Sequence, residues 1–230
     1  PPALSTSTAS GKSLAYNVAV ACSLVEGSRA EASDGGGGGG AGPASALYLF
    51  PTKELAQDQL RALREFAAPL GGALVAATLD GDTPHAARDD ARRRANVLLT
   101  NPDMLHVTVL PHHRQWRRVL AALRFVVVDE AHTYRGAFGA HVAGVVRRLV
   151  RVCAHYGARP PTFITCSATI ANPAEHFAAL VPLHCLGGRA RLEEVGDEQD
   201  GAPRAAKMVV IWNPPIKLFP AAAADGGDGE

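Results

Sequence analysis

The 230-residue sequence predicts an α/β fold: a mostly parallel, doubly wound sheet with helices on both faces. Three observations lead there. Short apolar runs of strand length alternate with longer helical patterns. Those runs lack the polar alternation of a half-wet strand, which suits a sheet covered on both sides. The chain is also 47% apolar, enough for a full core, and this excludes global disorder.

The strand-length runs are 46–50, 73–79, 96–100, 125–129 and 162–166. Helical patterns fall at 12–24, 53–68, 85–94, 103–110 with 115–123, and 139–155. In this architecture ligands sit beyond the carboxyl ends of the strands, so motifs there carry the chemistry.

Two stretches break the alternation. Residues 26–43 include six consecutive glycines, Gly35 to Gly40, and read as a flexible insertion with no side chain to bury. Residues 187–204, with Glu193-Glu194 and Gly196-Asp197-Glu198, read as a charged connector. The expected organisation is therefore one domain over 1–186, the connector, and then 205–230. That last part holds a strand-like run at 207–212 that opens a second domain, and an Ala, Gly and acid tail. The opening Pro1-Pro2-Ala3-Leu4 reads as a cut inside a longer chain.

A net charge of +1 argues against a sticky polycation and leaves room for a local basic face. No apolar run approaches the roughly 18–20 residues needed to span a bilayer, so no membrane partner is expected. Cys22, Cys153, Cys166 and Cys185 lie far apart with no C-x-x-C pair. That spacing offers neither a zinc cluster nor a disulfide framework, and it reads as buried reduced thiols of an intracellular protein; the expected compartment is the nucleus, with an organelle as the alternative.

Ser5-Thr6-Ser7-Thr8-Ala9-Ser10-Gly11-Lys12-Ser13 precedes a helix. As a phosphate-binding loop, Gly11 admits the phosphates, Lys12 supplies charge and Ser13 offers a hydroxyl to Mg²⁺. The strict G-x-x-x-x-G-K-[ST] pattern fails at Thr6, and an ordinary Ser/Thr-rich helix cap has the same composition. Asp129-Glu130-Ala131-His132 shifts the balance. It follows the buried run Phe125-Val126-Val127-Val128, so the acids emerge where a ligand sits. Asp129 suits Mg²⁺, and Glu130 suits orienting and deprotonating a water. Ser167-Ala168-Thr169 ends the last strand, where small hydroxyls can bond to His132 and transmit nucleotide state. A turn with local hydroxyl–backbone bonds has the same residues.

The order S-T-A-S-G-K-S, P-T-K-E-L-A-Q-D-Q, L-T-N-P-D-M-L-H, V-V-V-D-E-A-H-T-Y, C-S-A-T-I-A-N-P resembles the first motor lobe of a superfamily-2 DEAD/DEAH-box helicase. More narrowly, it resembles the branch that contains the bacterial mitomycin-repair helicase and its fungal and plant relatives. The resemblance covers roughly residues 5–185, plus Trp212–Pro215. It implies a P-loop NTPase, RecA-like domain that binds ATP and Mg²⁺. Thr8, Ala9, Ser10, Gly11, Lys12 and Ser13 would hold the nucleotide, Ser13 and Asp129 the metal, and Glu130 would activate water. Lys12 and Asp129 join Glu130 as catalytic residues, while His132, Ser167 and Thr169 couple turnover to movement. Pro51, Thr52, Lys53, Gly81, Thr100, Asn101, Pro102 and Asp103 would hold a single-stranded nucleic-acid backbone without reading sequence.

The implied function is the ATP-binding lobe of an ATP-dependent 3′→5′ DNA helicase in repair. The rivals are an RNA helicase of the same superfamily and a non-catalytic nucleotide or nucleic-acid module. Three departures from the pattern stand out. The strand and adenine-reading segment upstream of the loop are missing. The glycine run interrupts the motifs. The second lobe, with its arginine finger, is reduced to its first strand. Arg92-Arg93-Arg94, Arg114/Arg117/Arg118 and Arg147-Arg148/Arg151 read as solvated helix faces ahead of a widened nucleic-acid track, and His112-His113 as a loop pair ahead of a metal site.

Overall fold

Register decides what this sheet presents, because every strand pairing in it is parallel. The computed structural model describes residues 2–5, 12–33, 44–168, 170–186 and 191–195, and only the backbone of 2–5, 12 and 28–33. Among the described residues the strands are β1 Pro2–Ser5, β2 Ser45–Leu49, β3 Ala76–Thr78, β4 Val97–Thr100, β5 Leu123–Val128, β6 Thr162–Ser167 and β7 Glu193–Val195. Their order across the sheet is β3-β4-β2-β5-β6-β1-β7. The helices are α1 Lys12–Ser33, α2 Lys53–Ala67, α3 His85–Arg94, α4 Pro102–Met104, α5 Arg117–Ala121, α6 Gly136–His155 and α7 Pro173–Leu180. No helix among the described residues is long and apolar enough to cross a membrane.

Side-chain alternation divides the core into two layers, as a sheet covered on both faces requires. On β2, Ala46, Tyr48 and Phe50 join Tyr16, Val20 and Leu24 of α1 and Leu60 and Leu63 of α2. Leu47 and Leu49 point the other way, to Val142, Val146 and Leu149 of α6 and Phe177 of α7. The predicted α/β class with helices on both faces is the one observed.

Leu49 pairs with Thr100 on one side and Val128 on the other, Val128 pairs with Thr165, and Ser5 pairs with Ser167. The segments after these residues therefore leave the sheet along a single edge. Those segments are 51–53, 101–103, 129–130 and the turn at Ala168.

Several expectations need correction. The strand expected to be missing ahead of the loop is present: β1 is hydrogen-bonded between β6 and β7, with Pro2 at its first position, where proline is tolerated. The helix expected to stop at Leu24 runs to Ser33, so the first eight residues of the supposed insertion are helical; Ala30, Glu31 and Ala32 are good helix formers. The connector contributes the edge strand β7, whose exposed Glu193 and Glu194 place charge where a bare edge would invite pairing. The helix expected over 103–110 is the single turn of α4 followed by a π-helical turn over Leu105–Val109. Cys153 and Cys166 are buried, the Cys153 thiol being pushed up to about 12 by burial, but Cys22 and Cys185 are exposed. Cys22 lies on the outer face of α1, one turn beyond exposed Val18. Residues 34–43, 187–190 and 196–230 lie outside the described residues, so the glycine run and the strand expected at 207–212 do too.

The arginine clusters are not simply solvated. Arg118 donates to the carbonyls of Arg92 (3.0 Å), Ala91 (3.5 Å) and Ala95, closing the C-terminus of α3. Arg92 pairs with Asp89 and lies over the Trp116 ring, 5.3 Å from its centroid. His113 Nδ1 lies 2.6 Å from the Tyr156 hydroxyl and His112 Nδ1 3.0 Å from the Thr108 carbonyl.

Candidate nucleotide and nucleic-acid site

β1 ends at Ser5 and α1 starts at Lys12, so a strand and a helix flank the phosphate-loop sequence. Thr8, Ala9, Ser10 and Gly11 themselves, and the Lys12 side chain, lie outside the described residues. Ser13, in the first turn of α1, is half-buried and hydrogen-bonds to the Tyr16 hydroxyl. Tyr16 in turn donates to Asp129 Oδ2 at 3.0 Å. One tyrosine thus joins the two residues expected to hold Mg²⁺. Burial, then the Asp129 charge, pushes the Tyr16 hydroxyl far above its ordinary range, so it stays a donor. Nothing in the sequence singled Tyr16 out.

Asp129 continues β5 past its end, its N–H donating to the Leu49 carbonyl at 3.0 Å. Its Oδ1 accepts the Glu130 N–H at 2.9 Å. Glu130 is the one non-glycine residue with positive φ among the described residues, at 49°. This left-handed kink turns its carboxylate away from the strand direction to within 3.3 Å of His132 Nδ1. His132 also accepts the Ala168 N–H at 3.3 Å. The hydroxyls of the S-A-T triplet were expected to bond to His132; the backbone N–H between them does so. Ser167 is buried at the end of β6, and Thr169 lies outside the described residues. From α7, His176 Nε2 meets the Ala131 carbonyl at 2.8 Å and steadies the same turn.

The donor set fits a hard divalent cation. A serine hydroxyl and a buried carboxylate are oxygen ligands of the kind Mg²⁺ takes, and a second carboxylate stands next to them.

The residues expected to grip a nucleic-acid backbone gather beside this site. Thr52 caps α2, accepting the Leu55 N–H at 3.4 Å, and Asn101 caps α4, accepting the Met104 N–H at 2.8 Å. Both caps stand where a helix begins at this sheet edge; α2 opens on Lys53, whereas α4 opens on Pro102, which has no N–H. Lys53 Nζ lies 2.6 Å from Asp82 Oδ2 on the Gly81-Asp82 turn. Asp80, unremarked in the sequence, pins that turn: it accepts from Asp82 N at 3.0 Å, Thr83 Oγ1 at 2.7 Å and Gln57 Nε2 at 3.0 Å. Burial raises its pKa, but the Thr83, Gln57 and backbone hydrogen bonds outweigh this and hold it below the ordinary carboxylate range. Pro51 is half-buried and Asp103 exposed. Thr100 and Pro102 are buried, and the Thr100 hydroxyl donates inward to the Leu79 carbonyl at 2.7 Å. Their contribution is to shape the edge.

Comparison with known proteins agrees with this geometry. The family model described as DEAD/DEAH box helicase matches residues 3–177. The chain is 44% identical over 211 residues to the uncharacterized ATP-dependent helicase YprA of Bacillus subtilis, covering 92% of this chain and 25% of the relative. It is 40% identical over 216 residues to the ATP-dependent helicase HRQ1 of Saccharomyces cerevisiae, covering 93% of this chain and 18% of that one. The crystal structure of the DUF1998 helicase MrfA bound to DNA and AMPPNP superposes with a TM-score of 0.71 at 43% identity, over 87% of this chain and 25% of that one. The chain thus spans a quarter or less of the length of these relatives. With a RecA-like α/β lobe and the acid pair at the end of a parallel strand, the chain belongs to the DEAD/DEAH box helicase family.

Proposed function

We propose that this chain is the ATP-binding lobe of an ATP-dependent DNA helicase that moves 3′→5′ and serves DNA repair. The observation that carries the reading is the shared sheet edge: Ser13, Tyr16 and Asp129 form one connected group, with the Thr52 and Asn101 caps on the neighbouring strands. An engine that converts nucleotide state into grip needs the two sites on one rigid frame. The similarity to MrfA, which was crystallised with DNA, supports DNA over RNA.

In this reading Lys12 and the loop before it hold the phosphates, and Ser13 and Asp129 hold Mg²⁺, which neutralises charge on the β and γ phosphates when bound. Tyr16 fixes the Asp129 carboxylate. Glu130, aimed by its left-handed backbone, accepts the proton of the attacking water. His132 and the Ala168 N–H carry the position of that turn to β6. The capped N-terminus of α2 at Thr52 offers N–H groups to phosphates, which hold a strand without reading its sequence.

The test is phosphate release by the full-length protein with and without single-stranded DNA, followed by unwinding of duplexes bearing a 3′ or a 5′ tail. DNA-stimulated turnover and unwinding from the 3′ tail alone are expected. Stimulation by RNA alone, or unwinding only from the 5′ tail, would overturn the DNA or the polarity assignment.

A further inference from the structure

Charge is distributed unevenly over this lobe, although its sum is only +1. Between residues 104 and 168 the chain has nine arginines and no lysine, against two acids, Asp129 and Glu130. Both acids lie at the edge where the strands end. Elsewhere arginines are neutralised: Arg61 pairs with Asp58, Arg92 with Asp89 and Arg94 with Asp90. Among the described residues Arg114, Arg117, Arg147, Arg151 and Arg159 are exposed and enter no ion pair.

The fold gathers these charges at the end of the lobe away from the acid pair. α6 begins just after the turn that carries Glu130 and runs about 30 Å to His155. In its second half Arg147, Arg151 and His155 follow one another at intervals of one turn, all exposed. At its C-terminus Tyr156 draws in the segment ahead of α5. The Tyr156 hydroxyl lies 2.6 Å from His113 Nδ1, and the Arg117 guanidinium lies over the ring, 5.8 Å from its centroid. The His155 ring lies 5.0 Å from the same ring and 6.2 Å from that of His113. Arg114 is held beside them by the turn in which the Arg117 N–H donates to its carbonyl at 3.4 Å. Arg159 stands three residues past Tyr156, just ahead of β6. Arg118 is outside this face, because its guanidinium is engaged by the carbonyls of α3.

Like charges one turn apart destabilise a helix, where an acid at the same spacing would support it. A polyanion lying along the face reverses that sign. Planar guanidinium forks suit phosphate oxygens, which they meet two at a time. Trp116 is buried and Tyr156 is half-buried with Arg117 over it, so neither ring is free to stack on a base. An unpaired strand is held through such rings, whereas a duplex is held through its phosphates. A member of a helicase family meets duplex beside the strand it holds.

We infer that this face, centred on Arg114, Arg117, Arg151 and His155, holds the phosphate backbone of double-stranded DNA. It is a second surface at the far end of α6, and it uses none of the residues assigned above to nucleotide or to the single strand.

The test follows binding of a short, blunt, dye-labelled DNA duplex to the full-length protein by fluorescence anisotropy, over a range of salt concentrations. The double variant Arg114→Ala/Arg151→Ala should bind the duplex more weakly. It should also flatten the slope of log K against log salt by about 1.8, the share of two phosphate contacts. Arg114→Lys/Arg151→Lys keeps the charges and should restore the slope. ATP turnover with saturating single-stranded DNA should be the same in all three proteins. An unchanged slope in the alanine variant overturns the proposal, as does a loss that lysine does not restore. Labelled polyglutamate is the second probe. If the alanine variant loses affinity for polyglutamate and none for the duplex, the face serves an acidic protein segment and the DNA assignment falls.

Discussion

The hydroxyl of Tyr16 donates to Oδ2 of Asp129 across 113 positions of sequence, at 3.0 Å. The bond ties the first helix to the central strand at the point where the metal ligands meet, and both partners are buried. Tyr16→Phe keeps the ring and removes the donor, leaving the buried carboxylate short of one partner. The expected loss is about 1–3 kcal/mol of unfolding free energy, the cost of an unsatisfied buried group. Urea denaturation checks it. The same variant should need more Mg²⁺ for half-maximal ATP turnover, because Asp129 is less well held.

Glu130 separates binding from chemistry. Glu130→Gln preserves shape and removes the base, so turnover by the full-length protein should fall about 10²–10⁴-fold while ATP still binds. Glu130→Gly abolishes turnover too, yet it relieves a side-chain residue held at φ 49°. Left-handed backbone costs a non-glycine residue on the order of 1 kcal/mol, partly offset by the entropy glycine loses on folding. The melting temperature of the glycine variant should therefore match or exceed that of the wild type. A clear fall would mean that the kink is not strained.

Asp82 occupies the ammonium of Lys53 at the edge where phosphates would lie. Both side chains are largely exposed, so the pair adds little to stability. Asp82→Asn should leave the melting temperature nearly unchanged and tighten binding of single-stranded DNA, with the gain fading as salt is raised. Binding that weakens instead would mean that the carboxylate orients Lys53 toward the strand.

Arg118 makes charge-assisted bonds to the last carbonyls of α3. Arg118→Ala removes these bonds, though the Ala91 carbonyl keeps the Ala95 N–H, and should cost about 1.5–3 kcal/mol, the scale of bonds to a charged group. Arg114→Ala, an exposed neighbour, should stay within about 0.5 kcal/mol. Paired urea titrations of the two variants distinguish them.

The elements that could be read from sequence are those whose pattern is local. The buried runs at Ala46–Leu49 and Val126–Val128 have one composition and one period, and the acids after Val128 had to emerge at the sheet edge. What escaped depends on partners far away in sequence. β1 is four residues with no periodicity of their own, made a strand by β6 and β7 on either side. β7 looks like a polar linker until β1 is in place. Tyr16 is core, and its second role needs Asp129. Arg118 reads as a surface charge because the carbonyls it closes belong to another helix. The left-handed backbone at Glu130 had no glycine or asparagine to announce it, and such strain is found where function imposes it.

The place of β1 in the sheet also sets the order in which the protein can be made. β1 is synthesised well before its neighbours, β6 about 160 residues later and β7 beyond that. Chains grow at about 5–20 residues per second, so β1 waits on the order of 8–30 s for its first partner. During that interval β2, β3, β4 and β5 can already pair among themselves, since their partners lie close in the chain. The strand that leads into the phosphate loop is therefore late to lock in, although α1 can already pack on β2 and α2. A nascent chain has a finished outer sheet before it has anywhere to put a nucleotide, and it gains that ability in one late step, when β6 arrives.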